Sequence, residues 1–288
     1  MFTRLILTAA VTSVCLINTP YAFAVPPLHT AQAESRHAPL IRSNAVLVVN
    51  AETGEPVFEK NADISTPIAS ITKLMTAMVL LDSQPDMDQF VTISDSEIDH
   101  LKKTTSRLAV GTTLSRYEML LLALMSSENR AAASLARTAP GGTAAFVQRM
   151  NQKARDLGMT HTVFYDPTGL NSGNASTAAD LAKMVAAAYR YPLIRQFTTT
   201  AKHEVYAHNR LLHYMNSNAL VREGQWDIGL SKTGYIQEAG RCLVMRVTVG
   251  AAPLIVVLLD SSGSAARLQD ARQLKTWLER QPQTWMAG

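Results

Sequence analysis

Cysteine is nearly missing from this chain. Its 288 residues hold only Cys15 and Cys242, and the first lies in the leading apolar segment, so the mature protein has no partner for an intramolecular disulfide. Cys15 follows Val14, not the small residue that a lipoprotein cleavage site takes. Cys242 sits in CLVMRVTV, which alternates like a strand, and is expected to be a packed thiol and not a nucleophile. Charge of one sign is not concentrated either: 27 Lys and Arg against 23 Asp and Glu give a formal +4, spread along the chain, which argues against a nucleic-acid footprint. Beyond the N-terminus, the longest apolar run is Met119–Met125, far below the roughly 20 residues a membrane-spanning helix needs.

What is present is a globular composition, 47% hydrophobic, enough for one large core. The first residues combine Arg4, an apolar run from Leu5 to Ile17, and the small-x-small pattern Ala22-Phe23-Ala24. This pattern predicts a cleavable signal peptide over 1–24, a flexible Pro- and Ala-rich leader over 25–38, and a folded domain over 39–288, exported and without an integral membrane segment.

AVLVVN, the turn ETGE and PVFEK read as a β-hairpin. From Ile68, ASITKLMTAMVLLD is apolar at nearly every turn and predicts a central buried helix. Ser115 and Glu118 form a capping box ahead of LLLALM. Thr143 is expected to cap a helix through Leu157 with Gly158 at its exit, and Thr177 with Asp180 to open another that Pro192 ends. After Gly229 the pattern returns to strands, LSKTGYI, RCLVMRVTV and PLIVVLLD, then an amphipathic helix over 264–279. Strands therefore open and close the chain around a mainly α-helical middle, an α/β (α+β) arrangement.

Three short motifs occur in order: Ser70-Ile71-Thr72-Lys73, Ser127-Glu128-Asn129 and Lys232-Thr233-Gly234. Residues three apart share a helix face, so Lys73 reaches the Ser70 hydroxyl. Ser70 is expected to be the nucleophile and Lys73 its base, which requires the lysine to be neutral. Holding it so at pH 7 costs about 4 to 5 kcal/mol, which burial among Ile71, Leu74, Met75 and Met78, aided by the second cation Lys232, has to supply. Ser127 and Asn129 offer a proton relay and an amide for the substrate backbone. Lys232 and Thr233 suit a substrate carboxylate, Gly234 permits close approach, and the backbone amides of Ser70 and Tyr235 would form the oxyanion hole.

The set S-x-x-K, S-D-N and K-T-G is shared by β-lactamases and penicillin-binding proteins, here with Glu in the middle of the second motif. With FYDPTGLN, STAADLA and KTGYIQEAGRC, the chain resembles the S11 family of low-molecular-mass penicillin-binding proteins. The resemblance runs over nearly the whole mature chain and is nearest to the endopeptidases of the penicillin-binding protein 7/8 type. It implies a β-lactamase/transpeptidase-like fold, an antiparallel sheet with an inserted all-α lobe. It implies as well a serine peptidase acting on peptidoglycan stem peptides, inhibited covalently by β-lactams, with no cofactor and no metal. Carboxypeptidase relatives add a second β-rich domain and an amphipathic anchor, whereas only 28 residues follow Asp260. That short form resembles the endopeptidases, which cut D-alanyl to diaminopimelate cross-links. Trp277 and Trp285 are expected on a terminal helix packed against the sheet.

Other readings are weaker. HEVYAH spaces His203 and His208 five apart, not the four of a zinc-protease helix, and no G-x-S-x-G elbow occurs. A class A β-lactamase needs E-x-x-L-N; the nearest string, Asp166 to Asn171, has the wrong carboxylate and one residue too many. A carboxypeptidase, or a non-catalytic wall-binding adaptor on the same fold, remain the alternatives.

Overall fold

The computed structural model describes residues 38–281. The chain divides into two units, 1–37 and 38–288. The first, which holds the expected signal peptide and most of the leader, lies outside the described residues, as does Trp285.

Strands β1 (Ala45–Asn50) and β2 (Pro56–Lys60) pair antiparallel across a turn in which Gly54 takes a φ of 78°. The chain then passes through β3 (Thr66–Pro67) and one 3-10 turn (Ala69–Ile71) into α1 (Thr72–Asp82). Thr72 to Leu80 are all buried, as an apolar-all-round helix must be. A ribbon of β4 (Phe90–Thr92) and β5 (Thr113–Ser115) precedes α2 (Arg116–Met125), whose start carries the Ser115–Glu118 capping box. The helical region continues with α3 (Asn129–Arg137), α4 (Gly142–Asp156), the two-residue β6 (Ala175–Ser176), α5 (Ala178–Ala188) and α6 (Pro192–Thr199). A hairpin of β7 (Lys202–Ala207) and β8 (Arg210–Met215) and a short α7 (Ala219–Glu223) lead to β9 (Asp227–Ile236), β10 (Gly240–Val249), β11 (Ala252–Ser261) and α8 (Ser264–Arg280).

The main sheet has the order β2-β1-β11-β10-β9, antiparallel throughout. β1 from the start of the fold lies beside β11 from its end, with Leu47 opposite Val257, so the helical region is an insertion between strands that meet. Both sheet faces are apolar, because each is covered. Leu47, Val49, Val244, Ile255 and Val257 join the core of the helical region. Val48, Met245 and Val256 on the other face pack with Ala271, Leu274 and Leu278 of α8. Trp277 lies edge-on to Phe58 of β2 with ring centroids 5.7 Å apart, so the terminal helix does pack on the sheet. β9 is left as an edge strand, and the 3-10 turn at Ala69–Ile71 abuts it.

Several local expectations need correction. Helix α4 begins at Gly142 behind Gly141, which takes a φ of 78°, and Thr143 is exposed in its first turn and not the cap. The chain enters through a left-handed turn that glycine adopts at least cost. Pro192 does not end α5, which stops at Ala188; it opens α6, where its missing N–H has no helical partner to lose. The middle of the chain is less purely helical than expected. HEVYAH runs along β7 into a two-residue turn at His208 and Asn209, both at positive φ, and the strand returns as β8.

Candidate active site

The site forms where the helical region meets the edge strand. Ser70 lies in the 3-10 turn and Lys73 is the second residue of α1; three positions apart across this junction, the two fall on one face of the helix. Ala69, just before Ser70, has a φ of 48°, a strained conformation for a residue with a Cβ. Two glycines leave room for that turn. A Cβ on Gly169 would come within 1.9 Å of the Ala69 carbonyl oxygen, and one on Gly234 within 2.9 Å of the Ile68 oxygen and 3.2 Å of the Ser70 nitrogen. The close approach at Gly234 is therefore to the backbone that carries Ser70.

Lys73 Nζ lies 2.8 Å from Ser70 Oγ, 2.7 Å from Asn129 Oδ1 and 2.7 Å from the Thr168 carbonyl oxygen. Two of these partners are acceptors only. A neutral amine has two N–H groups and one lone pair, so donating to Asn129 and Thr168 leaves the lone pair for the Ser70 hydroxyl. Burial pushes the Lys73 pKa down to about 7, while the carboxylates of Asp166 and Glu128 pull the other way. Lys232 is not the cause: the coupling acts on Lys232 itself, which burial first, then Lys73 and Arg267, hold well below the usual lysine range.

The second motif lies between helices. α2 ends at Met125, Ser127 takes a left-handed φ of 64°, and Asn129 begins α3. Lys232 Nζ donates to Ser127 Oγ at 2.8 Å and to the Thr233 carbonyl at 2.9 Å. Thr233 Oγ1 donates to Ser217 Oγ at 2.7 Å. Tyr235 is half exposed on β9 with the Arg241 guanidinium 3.6 Å over its ring. The three motifs, 57 and 105 residues apart from first to second and second to third serine or lysine, thus converge on one place. Among the described residues, no group of three His, Cys, Asp or Glu is placed to hold a metal ion, and no helix is long and apolar enough to cross a membrane.

A model of the peptidase S11 family, described as D-alanyl-D-alanine carboxypeptidase, matches residues 32–263. The chain belongs to the S11 peptidase family. This S11 member is 48% identical over 241 residues to a D-alanyl-D-alanine endopeptidase of Pseudomonas aeruginosa, covering 83% of this chain and 78% of that protein. It is 44% identical over 252 residues to a D-alanyl-D-alanine endopeptidase of Escherichia coli, covering 87% and 81%. The fold is also that of the Streptomyces K15 DD-transpeptidase, with a TM-score of 0.78 at 28% identity over 84% of this chain and 98% of that one. The S11 assignment and the transpeptidase-like α+β fold agree with the sequence resemblance.

Sequence reasoning missed several residues that line the candidate site. Thr168 acts through its carbonyl and Ser217 through a hydroxyl, and neither has a side-chain signature. Arg267 on α8 is buried, donates to the Cys242 carbonyl at 3.0 Å and lies near enough to Lys232 to depress its pKa. The string DPTGLN reads as a family likeness and as a mismatch to the β-lactamase E-x-x-L-N motif, neither of which anticipates the close approach of its Gly169 to Ala69.

Proposed function

We propose that this chain is a serine D-alanyl-D-alanine endopeptidase that hydrolyses D-alanyl-diaminopimelate cross-links in peptidoglycan through an acyl-enzyme and is inhibited by β-lactams. The observation that carries this reading is a buried amine, its pKa brought down to about 7 by burial, 2.8 Å from the half-buried Ser70 hydroxyl. Ser70 attacks the D-alanyl carbonyl while Lys73 takes its proton. Ser127, bridged to Lys232, hands a proton to the departing amine, and Asn129 holds the substrate backbone. The amides of Ser70 and Tyr235 stabilise the oxyanion, each worth about 3 to 4 kcal/mol in the barrier; the close packing of Gly234 on the Ser70 nitrogen supports this pairing. Water then releases the shortened stem peptide.

In both candidate substrates a carboxylate sits one carbon from the scissile nitrogen. Lys232, Thr233 and the nearby Arg267 form a cationic and hydroxylic corner that suits it. Bound there, the carboxylate favours the charged form of Lys232, which burial disfavours. Further support comes from the endopeptidase relatives at 48% and 44% identity. The description of the family model favours a carboxypeptidase as the second reading. An adaptor without turnover is disfavoured by the assembled Ser70–Lys73 pair.

We assign residues 1–24 to a signal peptide, 25–38 to a leader and 39–288 to the catalytic domain, and place the mature protein in the periplasm; the N-terminal sequence pattern supports this. The deciding experiment is mass spectrometry of cross-linked muropeptide dimers and of free pentapeptide after incubation with mature protein. Dimers converted to monomers with pentapeptide intact is the expected result. Loss of one alanine from pentapeptide alone makes it a carboxypeptidase, and no change in either favours the adaptor.

A further inference from the structure

Residues 166–174 contain no helix or strand, yet they are fastened to the nucleophile's helix at several points. Thr76 Oγ1 donates to the Pro167 carbonyl at 2.7 Å, Lys73 to the Thr168 carbonyl at 2.7 Å, and Asn174 Nδ2 to Thr72 Oγ1 at 3.1 Å. Inside the segment, the Asp166 carboxylate accepts from the backbone nitrogens of Thr168 (3.2 Å), Gly169 (3.0 Å) and Leu170 (3.4 Å), from Thr168 Oγ1, and from Asn174 Nδ2 at 2.8 Å. Every one of these neighbours is a donor, so both carboxylate oxygens are occupied in shaping the turn. None is left to activate water, as a deacylating base would require.

We propose that Asp166 is a positioning residue for the general-base step: by gathering the N–H groups of 168–170 it aims the Thr168 carbonyl at Lys73. This deepens the function proposed above and rests on it. With Thr168 and Asn129 taking the two amine hydrogens, the lone pair has one direction left, toward Ser70. The charged groups facing Lys73 are Asp166, Glu128 of the second motif and Lys232 of β9. Asp166 is the larger of the two carboxylate influences, so it tunes the base as well as orienting it.

The test is the rate of acylation by labelled penicillin across a pH series for wild type, Asp166→Asn and Asp166→Ala, with thermal melts of each. Asp166→Ala removes the charge without setting an amide N–H against the surrounding donors, so it reports even where Asp166→Asn does not fold. The plateau rate is expected to fall about tenfold or more, as misplacement of a reacting group does. The acidic limb is expected to move to lower pH by about half a unit or more, because removing a negative charge favours the neutral amine. Asn151→Ala is the structural control. Its side chain holds the backbone just before this segment, at Phe164, accepting at 2.9 Å and donating at 2.7 Å, and its loss is expected to lower the melting temperature without moving the limb. A limb that stays at the wild-type pH in the folded Asp166 variants overturns the inference and leaves the proposed function standing. A wild type that penicillin does not label removes the proposed function itself, and the inference with it.

Discussion

Lys73 and Thr168, 95 residues apart in the chain, are joined by a 2.7 Å hydrogen bond from the buried lysine to a backbone carbonyl. That bond and its counterpart to Asn129 give the amine a fixed orientation. The remaining direction points at Ser70 Oγ, 2.8 Å away, and the orientation has consequences for rate, for stability and for which substitutions the loop tolerates.

Acylation is expected to follow the neutral fraction of Lys73, the proposed base. With its pKa brought down to about 7 by burial, the rate of labelling by penicillin rises with pH through the neutral region and levels off above it. Ser70→Ala is expected to abolish labelling, and Lys73→Ala to slow it by about a hundredfold to ten-thousandfold, the range of general-base catalysis. Labelling of Ser70→Ala at the wild-type rate would refute the assignment.

The same burial destabilises the fold. Below pH 7 the lysine is charged in both the folded and unfolded states, and the folded state bears the full cost of a buried ammonium, about 5 kcal/mol. Between pH 7 and 10.5 the unfolded state holds a proton that the folded state has lost, so wild-type stability gains as pH rises. Lys73→Met removes this dependence, while orphaning the Asn129 and Thr168 oxygens at about 1 to 3 kcal/mol each. Urea unfolding is therefore expected to show the variant gaining most relative to wild type at or below pH 7, with the difference shrinking toward pH 10. A difference independent of pH would count against the burial argument.

Gly169→Ala is expected to be severe. Its φ of 83° is costly for alanine, and the new Cβ meets the Ala69 carbonyl, which is backbone and has little room to yield. A loss of about 3 kcal/mol in unfolding free energy is expected, with penicillin labelling slowed more than the stability loss explains, because Ala69 precedes Ser70. Unimpaired labelling in a folded variant would show that this contact does not position the nucleophile.

Cys242 is fully buried, and burial pushes its thiol up to about 11. Iodoacetamide at neutral pH is expected to leave native protein lacking residues 1–24 unmodified and to alkylate it once after denaturation, read by intact mass. Rapid native alkylation would show that β10 opens readily.

Much of the architecture could be read from local pattern. The hairpin at 45–60, the buried helix after Ser70, the Ser115–Glu118 and Thr177–Asp180 starts and the three closing strands all appear where period and capping put them. The Thr143 cap and the role of Pro192 did not, because Gly141 competes for the first and proline suits a helix start as well as a stop. The β7–β8 hairpin carries an alternation in KHEVYA and RLLHYM, but sequence reasoning compares HEVYAH only with a zinc-protease helix, rejects that on its five-residue histidine spacing, and leaves the strand pattern unused.

By itself, the sequence determined the types of chemical group and their order along the chain, since helix period, strand alternation and motif spacing are properties of neighbouring residues. Only the tertiary structure decided what those groups do to one another. The pKa of Lys73 depends on how completely other segments exclude water from it, and the identity of its acceptors depends on a loop 95 residues away. The place of Arg267 beside Lys232 depends on α8 packing under β10. Desolvation and through-space hydrogen bonds are set by which distant segments meet, and no local pattern encodes that meeting.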